Sequence, residues 1–203
     1  MNSKTTTDNI MDDTLPGSRP NPLRLQFSDL LWVLAYPVYQ ILGTLRHEGS
    51  HAIAAILQGA KITEFVFWPT MRKQGLYWGY VNYLEETNWL VLAAPYFVDL
   101  MTFVLFFAIC MRVRFRRKWI WLNLIIIGMI SPLVDSLYNY WGSKNSYNDV
   151  GRLLVDLPRG TIHGYFILTL IFYVIGIWLV FRKSKSVLGQ ETGTHRNPNE
   201  KSH

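Results

Sequence analysis

The chain has 203 residues, of which 50% are hydrophobic and only 17% are charged. Its length suits one domain, but a water-soluble domain is not expected, because the charges gather at the two ends and in the connecting loops and leave long stretches almost free of charge. This distribution predicts a membrane protein. The single cysteine, Cys110, cannot form an intramolecular disulfide, so a disulfide-stapled secreted domain is excluded.

The net charge of +6 is concentrated next to apolar segments. Residues 112–118, with the sequence RVRFRRK, separate two apolar runs, and further basic residues follow residue 181. Such clusters are typical of cytoplasmic loops and of contacts with anionic lipid headgroups. We therefore expect the lipid bilayer as their partner, and no nucleic acid.

Four apolar segments are each long enough for a helix to cross about 30 Å of hydrocarbon, which takes roughly 20 residues. They are residues 28–57, 88–111, 119–141 and 161–181. The first is longer than a simple crossing needs, so it should tilt or kink, with Pro37 as the expected kink site. Residues 1–27 are polar and rich in Pro and Gly, which predicts a disordered tail, and residues 182–203 form a basic polar tail.

Residues 61–86, between the first two segments, have a different composition. Short runs of β-branched and aromatic residues flank a turn-like stretch from Pro69 to Gly75, which is typical of a β-hairpin. An amphipathic loop on the membrane surface is the alternative, and the pattern does not decide between them. The expected fold class is an all-α polytopic membrane protein with about four transmembrane helices and a short membrane-associated β-hairpin-like segment after the first.

The basic clusters also predict an orientation. If both lie in the cytoplasm, an even number of crossings must separate them, and the third and fourth segments supply two. We therefore expect a multi-pass protein of the cell membrane with both termini cytoplasmic. Residues 61–86 and 142–160 would then lie together on the opposite side.

The first segment contains the pattern H-E-x-x-H, as HEGSH at residues 47–51. On a helix, His47 and His51 share one face and can bind one zinc ion, with Glu48 beside the metal to take a proton from water. Polar and charged residues in a membrane-spanning helix are costly and normally functional. The alternative is a pair of ordinary buried histidines satisfied by hydrogen bonds.

A catalytic zinc usually has three protein ligands and one open position, so a third ligand must come from elsewhere in the chain. Four acidic residues in or near the apolar segments are candidates: Asp99, Asp135, Asp149 and Asp156. Residue chemistry alone leaves this choice open.

Two stretches resemble intramembrane zinc metalloproteases of the site-2 protease type. HEGSHAIAAILQGAKI at residues 47–62 is similar to the opening H-E-x-G-H-A-x-A-A-x-x-x-G-G of that family, and SYNDVGRLL at residues 146–154 is similar to a Ser-Asp-x-x-x-Leu stretch in its compact bacterial branch. The resemblance covers most of residues 40–180. It implies a metalloprotease-like domain over residues 28–181, acting on membrane-spanning or membrane-proximal peptides. It also implies that His47, His51 and Asp149 are zinc ligands and that Glu48 is the general base.

The remaining polar residues each have two interpretations. Asp99 could pair with Arg46 or assist catalysis, and Asp135 is the second choice for the third ligand. His163 could stabilise an oxyanion or hydrogen-bond at the membrane interface. Asn148 could orient substrate or cap a short helix.

Two other functions are compatible with the sequence. One is a catalytically inactive membrane scaffold or assembly subunit, which Gly49 and Ser50 suggest because they depart from the family pattern. The other is a transporter with an ion path through Asp99 and Asp135, although four spans without an internal repeat leave little room for alternating access. The sequence does not indicate an oligomeric state.

Overall fold

The computed structural model describes residues 27–72, 75–113, 118–144 and 148–193, and these residues are mostly helical. Six α-helices are present in this part of the chain: α1 (Phe27–Leu57), α2 (Trp89–Arg112), α3 (Lys118–Ile125), α4 (Ser131–Trp141), α5 (Asp149–Asp156) and α6 (Arg159–Gly193). A π-helical turn, Ile126–Ile130, joins α3 to α4, and a 3-10 turn, Gly142–Lys144, follows α4. The predicted N-terminal tail lies outside the described residues apart from Phe27, with which α1 begins.

Three helical stretches in the described residues are long and apolar enough to cross a membrane: Trp89–Arg112, Trp119–Lys144 and Arg159–Lys183. They correspond to the second, third and fourth predicted segments. Helix α1 has 31 residues but is not among them. Its second half contains the charged and polar run from Arg46 to His51, which lowers its mean hydropathy.

The outer surface of the helices is apolar and part of the interior is polar. Met101 on α2 and Leu168 on α6 are 72% and 69% exposed, and Ile53 on α1 is 63% exposed. Asp99, in contrast, is only 1% exposed. Water would favour the reverse distribution, so the exposed faces indicate a membrane protein.

The segment after α1 forms the predicted β-hairpin, so the alternative of an amphipathic loop is wrong. Strand β1 (Ile62–Val66) pairs antiparallel with β4 (Tyr80–Tyr83), and β2 (Thr70–Arg72) pairs with β3 (Gly75–Tyr77) nearer the tip. The register of the outer pair shifts between Ile62 and Glu64. Gly59, with a φ of 89°, allows the chain to leave α1 in a left-handed conformation that other residues rarely adopt.

Helix α2 is the central element and packs against α1, α4, α5 and α6. One apolar cluster joins α2 to α5 and α6 through residues that include Tyr96, Val150 and Phe166. A second joins α2 to the π-helical turn and α6 through Phe103, Met129 and Tyr173. The first cluster seats α5 against α2, and so holds the start of α5 close to α1.

Candidate metal centre

Helix α1 carries both histidines of the H-E-x-x-H pattern on its buried face. The centroids of the His47 and His51 rings are 5.0 Å apart, as expected for residues four apart on a helix. Both residues are buried. The local spacing therefore aims two imidazoles at one point inside the bundle.

Helix α5 supplies a third atom at that point. Asp149 is its first residue, and the Asn148 side chain caps the helix by accepting a hydrogen bond from the Val150 amide. The Asp149 Oδ2 atom lies 3.3 Å from His47 Nε2 and 3.1 Å from His51 Nε2. These three ligand atoms all lie within 4.8 Å of one another and form a group that could hold a metal ion.

The other ring nitrogen of each histidine determines which tautomer is present. His51 Nδ1 lies 2.7 Å from the Val91 carbonyl oxygen, which can only accept, so this nitrogen must carry the proton and donate it. His47 Nδ1 donates to Asp135 Oδ2 at 2.8 Å. Each neutral imidazole therefore turns the lone pair of its Nε2 atom towards Asp149. Three electron-rich atoms that face one another repel unless a cation lies between them.

The distances fit such a cation. Around a tetrahedral ion with bonds of roughly 2.1 Å, two ligand atoms are separated by about 3.4 Å. The two observed separations between nitrogen and oxygen, 3.3 and 3.1 Å, are close to that value. Two imidazole nitrogens and one carboxylate oxygen are also a donor set that zinc accepts.

The Asp149 carboxyl is prepared to act as an anionic ligand. Burial by itself would raise its pKa, but a cation at the Nε2 atoms of His47 and His51, which without a metal ion is a proton on the rings, donates to the carboxylate, outweighs burial and holds the pKa well below its usual value. The carboxylate therefore stays ionised across the physiological pH range.

Glu48 follows His47 directly and lies against the β-hairpin. A Cβ atom on Gly79, between β3 and β4, would come within 3.0 Å of Glu48 Cγ, 2.7 Å of the Val66 carbonyl oxygen and 2.5 Å of Thr44 Cγ2. Only a residue without a side chain allows the hairpin to approach α1 this closely. The hairpin thus forms a wall of the site beside Glu48, a role for Gly79 that the sequence did not reveal.

Asp135, the second choice for the third ligand, lies on the other side of His47. It contacts Nδ1 rather than the nitrogen that faces Asp149, and its Oδ1 accepts a hydrogen bond from Asn139 at 3.3 Å. Asn139 in turn accepts from Asn148 Nδ2 at 3.1 Å. This chain of contacts orients His47 and ties α4 to the start of α5. Of the two interpretations of Asn148, the structure bears out the helix cap.

Asp99 pairs with Arg46, as the first of its two interpretations predicted. Arg46 Nε donates to Asp99 Oδ1 at 2.6 Å, Nη2 donates to Ser131 Oγ at 3.2 Å, and Nη1 donates to the Ile127 carbonyl at 3.4 Å. The guanidinium joins α1 to α2 and to the π-helical turn. The group of three possible metal ligands does not include Asp99.

His163 also lies outside the group of ligand atoms. Its Nδ1 atom is 3.0 Å from the Tyr140 hydroxyl, and its ring packs edge-on against the Tyr140 ring. This contact joins α6 to α4 near the end of the bundle that carries α5.

No protein-family model, curated protein or solved structure matches this chain.

Proposed function

We propose that the protein is a zinc-dependent peptidase that cleaves peptide segments within or next to the membrane. The observation that carries this proposal is the convergence of His47 Nε2, His51 Nε2 and Asp149 Oδ2, with Glu48 on the same turn of α1 as the first histidine. The apolar outer surface of the bundle supports the membrane setting.

The residues of the chain divide the work of hydrolysis between them. A zinc ion held by His47, His51 and Asp149 would supply a Lewis acid and lower the pKa of water towards neutrality. Glu48 accepts a proton from water as the water oxygen bonds to the peptide carbonyl carbon. When the bond between carbon and nitrogen breaks, Glu48 returns that proton to the leaving nitrogen, so one peptide and one water give a carboxylic acid and an amine.

We propose that α1 is a fourth span, although its polar run sets it apart from the three apolar ones. Its outward residues Ile53 and Ile56 are apolar, and its polar residues His47, Ser50 and His51 are buried against the bundle. This arrangement suits lipid outside and a polar site inside. Helix α1 has 31 residues, more than the roughly 20 that a crossing needs, so it can tilt in the membrane.

The hairpin is the proposed holder of the substrate. A peptide in a spanning helix hides its carbonyl groups in hydrogen bonds and must unwind before it is attacked. The outer pair, β1 and β4, can accept an unwound peptide as an added strand beside Glu48. An apolar cavity of about 210 Å³ between α1 and the hairpin, with Thr44, Phe67 and Trp78 among its lining residues, supports an apolar substrate.

The proposed orientation puts residues 112–118 and the C-terminal end in the cytoplasm. Cysteines introduced at Ser143 and Ser184, in a background where Cys110 is replaced by Ser, would report it in sealed vesicles. We expect a membrane-impermeant maleimide to label the two positions from opposite sides. Labelling of both positions from one side would refute this orientation.

The decisive experiment compares Glu48→Gln with the wild-type protein in liposomes, with a library of apolar fluorogenic peptides as substrates. We expect about one zinc per chain in both proteins, and a loss of cleavage of roughly 10² to 10⁴-fold in the variant. Glu86→Gln, which changes an exposed carboxylate on the loop before α2, is the matched control and should cleave normally. If the wild-type protein and Glu48→Gln cleave peptides at the same rate, or neither cleaves any, the chain is not a peptidase, and this result supports the inactive scaffold instead.

A further inference from the structure

The Tyr96 hydroxyl is a buried polar group without a protein partner. The residue is 1% exposed, and its hydroxyl oxygen makes no hydrogen bond to the described part of the chain. Buried hydroxyl groups are nearly always hydrogen-bonded, so an unpaired one points to a ligand, an ion or a catalytic part. Two tyrosine hydroxyls in the described residues are exceptions, those of Tyr96 and Tyr173, and only the Tyr96 ring packs against His47 of the proposed metal centre.

The contacts of Tyr96 fix its ring against that centre. The ring meets the His47 ring edge to face at 5.9 Å with an interplanar angle of 81°, and the Phe166 ring at 4.9 Å and 74°. Tyr96 also belongs to the apolar cluster that contains Val150, the neighbour of Asp149. A ring packed on these sides cannot turn freely, so its hydroxyl is held in one direction.

The chemistry of the centre lacks what Tyr96 offers. The His47 and His51 Nε2 atoms, the Asp149 carboxylate and the Glu48 carboxylate all present lone pairs to the reaction. Hydrolysis of a peptide develops negative charge on the carbonyl oxygen, and a fixed hydrogen-bond donor stabilises that charge. His163, for which oxyanion stabilisation was one of two interpretations, contacts Tyr140.

We propose that the Tyr96 hydroxyl donates a hydrogen bond to the carbonyl oxygen of the scissile peptide as negative charge develops there. This inference rests on the proposed function. It makes Tyr96 a catalytic residue rather than a packing residue, and it adds a donor from α2 to the residues that α1 and α5 supply.

The first test compares Tyr96→Phe with Tyr173→Phe. Tyr173 is the matched control, because its hydroxyl is equally buried and has no partner among the described residues, but it belongs to the second apolar cluster. We expect Tyr96→Phe to lower kcat by about 10² to 10³-fold, with KM and zinc affinity unchanged. Tyr173→Phe should keep all three values. Equal kcat for Tyr96→Phe and the wild-type protein would overturn the proposal.

The second test does not depend on cleavage. Acetohydroxamate, whose oxygens are acceptors, is titrated into cobalt-loaded protein and followed by visible absorption. We expect Tyr96→Phe to bind it at least tenfold more weakly than the wild-type protein and Tyr173→Phe do. Unchanged acetohydroxamate affinity in Tyr96→Phe overturns the proposal, because the hydroxyl would then donate to no ligand at the site. A tenfold loss of cobalt affinity in Tyr96→Phe also overturns it, because the hydroxyl would then act only on the residues that hold the metal. If Tyr96→Phe binds acetohydroxamate more weakly but the wild-type protein cleaves no peptide, Tyr96 is a hydrogen-bond donor at the site and the proposed peptidase function is wrong.

Discussion

Replacement of Gly79 by Ala tests whether the hairpin must lie against Glu48. The added Cβ would be 2.5 Å from Thr44 Cγ2 and 3.0 Å from Glu48 Cγ, whereas carbon atoms in contact prefer roughly 3.5 to 4.0 Å. The hairpin must therefore retreat from α1 by about 1 Å. Overpacking of this kind costs about 1 to 3 kcal/mol, and a misplacement of about 1 Å near reacting groups costs on the order of 10²-fold in rate.

The assay measures peptide cleavage, zinc content and the midpoint of thermal unfolding. We expect Gly79→Ala to cleave about 100-fold more slowly while it retains zinc, since the hairpin contributes none of the three ligands. Gly49→Ala is the control: a Cβ there meets no atom within 4 Å in the described residues, and Ala is favoured over Gly inside a helix by roughly 0.8 to 1.0 kcal/mol. It should cleave normally and unfold at a higher temperature. Normal cleavage by Gly79→Ala would show that the hairpin need not lie this close to Glu48.

Two further predictions concern the residues around the centre. Asp149→Asn should abolish stable zinc binding, whereas Asp135→Asn should weaken it only about 10 to 100-fold, because Asp135 orients His47. Equilibrium competition with a chelator measures the zinc affinity of both variants. A larger loss of zinc affinity in Asp135→Asn than in Asp149→Asn would make Asp135 the ligand. Arg46→Met and Asp99→Leu should each destabilise the bundle by about 3 to 5 kcal/mol, because each leaves an unpaired buried charge, and the double variant should recover part of that loss. Reversible unfolding in mixed detergent measures these energies, and additive losses would contradict the pairing.

The features predicted correctly from the sequence are those that local spacing determines. His47 and His51 are four residues apart, so any helix brings them together, and the hairpin follows from short aromatic runs around a turn. The pairing of Arg46 with Asp99 was also predictable, because two buried charges of opposite sign in an apolar bundle are costly unless they meet. Each of these features depends on the chemistry of only one or two neighbouring elements.

Features that depend on the relative positions of several elements were not predictable in this way. Asp135 and Asp149 are both carboxylates that return towards the same end of the bundle, and only the packing of α4 and α5 puts one at Nδ1 and the other at Nε2 of His47. Gly79 and Tyr96 belong to no motif. Their significance lies in close approach and in an unpaired hydroxyl, both of which are properties of the assembled bundle.

Two prolines provide a sequence signal whose meaning emerges only in the structure. Pro95 has no amide hydrogen, so the Val91 carbonyl, four residues earlier in α2, lacks its helical partner and accepts from His51 instead. In the π-helical turn the Ser131 amide donates to the Ile126 carbonyl, five residues back. By the same spacing the Ile127 carbonyl would accept from residue 132, but this residue is Pro132 and has no amide hydrogen. Arg46 donates to that carbonyl.

The two released carbonyls therefore anchor two polar side chains of α1 inside an apolar bundle. An unpaired carbonyl in an apolar interior is costly, and so is a buried imidazole or guanidinium with a missing acceptor. Each proline creates the acceptor that a residue of α1 needs, and each contact removes both costs at once. His51 is thereby held in the tautomer that turns Nε2 towards Asp149, while Arg46, one residue before His47, fixes the depth of α1 against α2 and the π-helical turn. The backbone carbonyls of two neighbouring helical segments thus hold Arg46 and His51 of α1 in place, and this preorganisation suits the proposed metal centre.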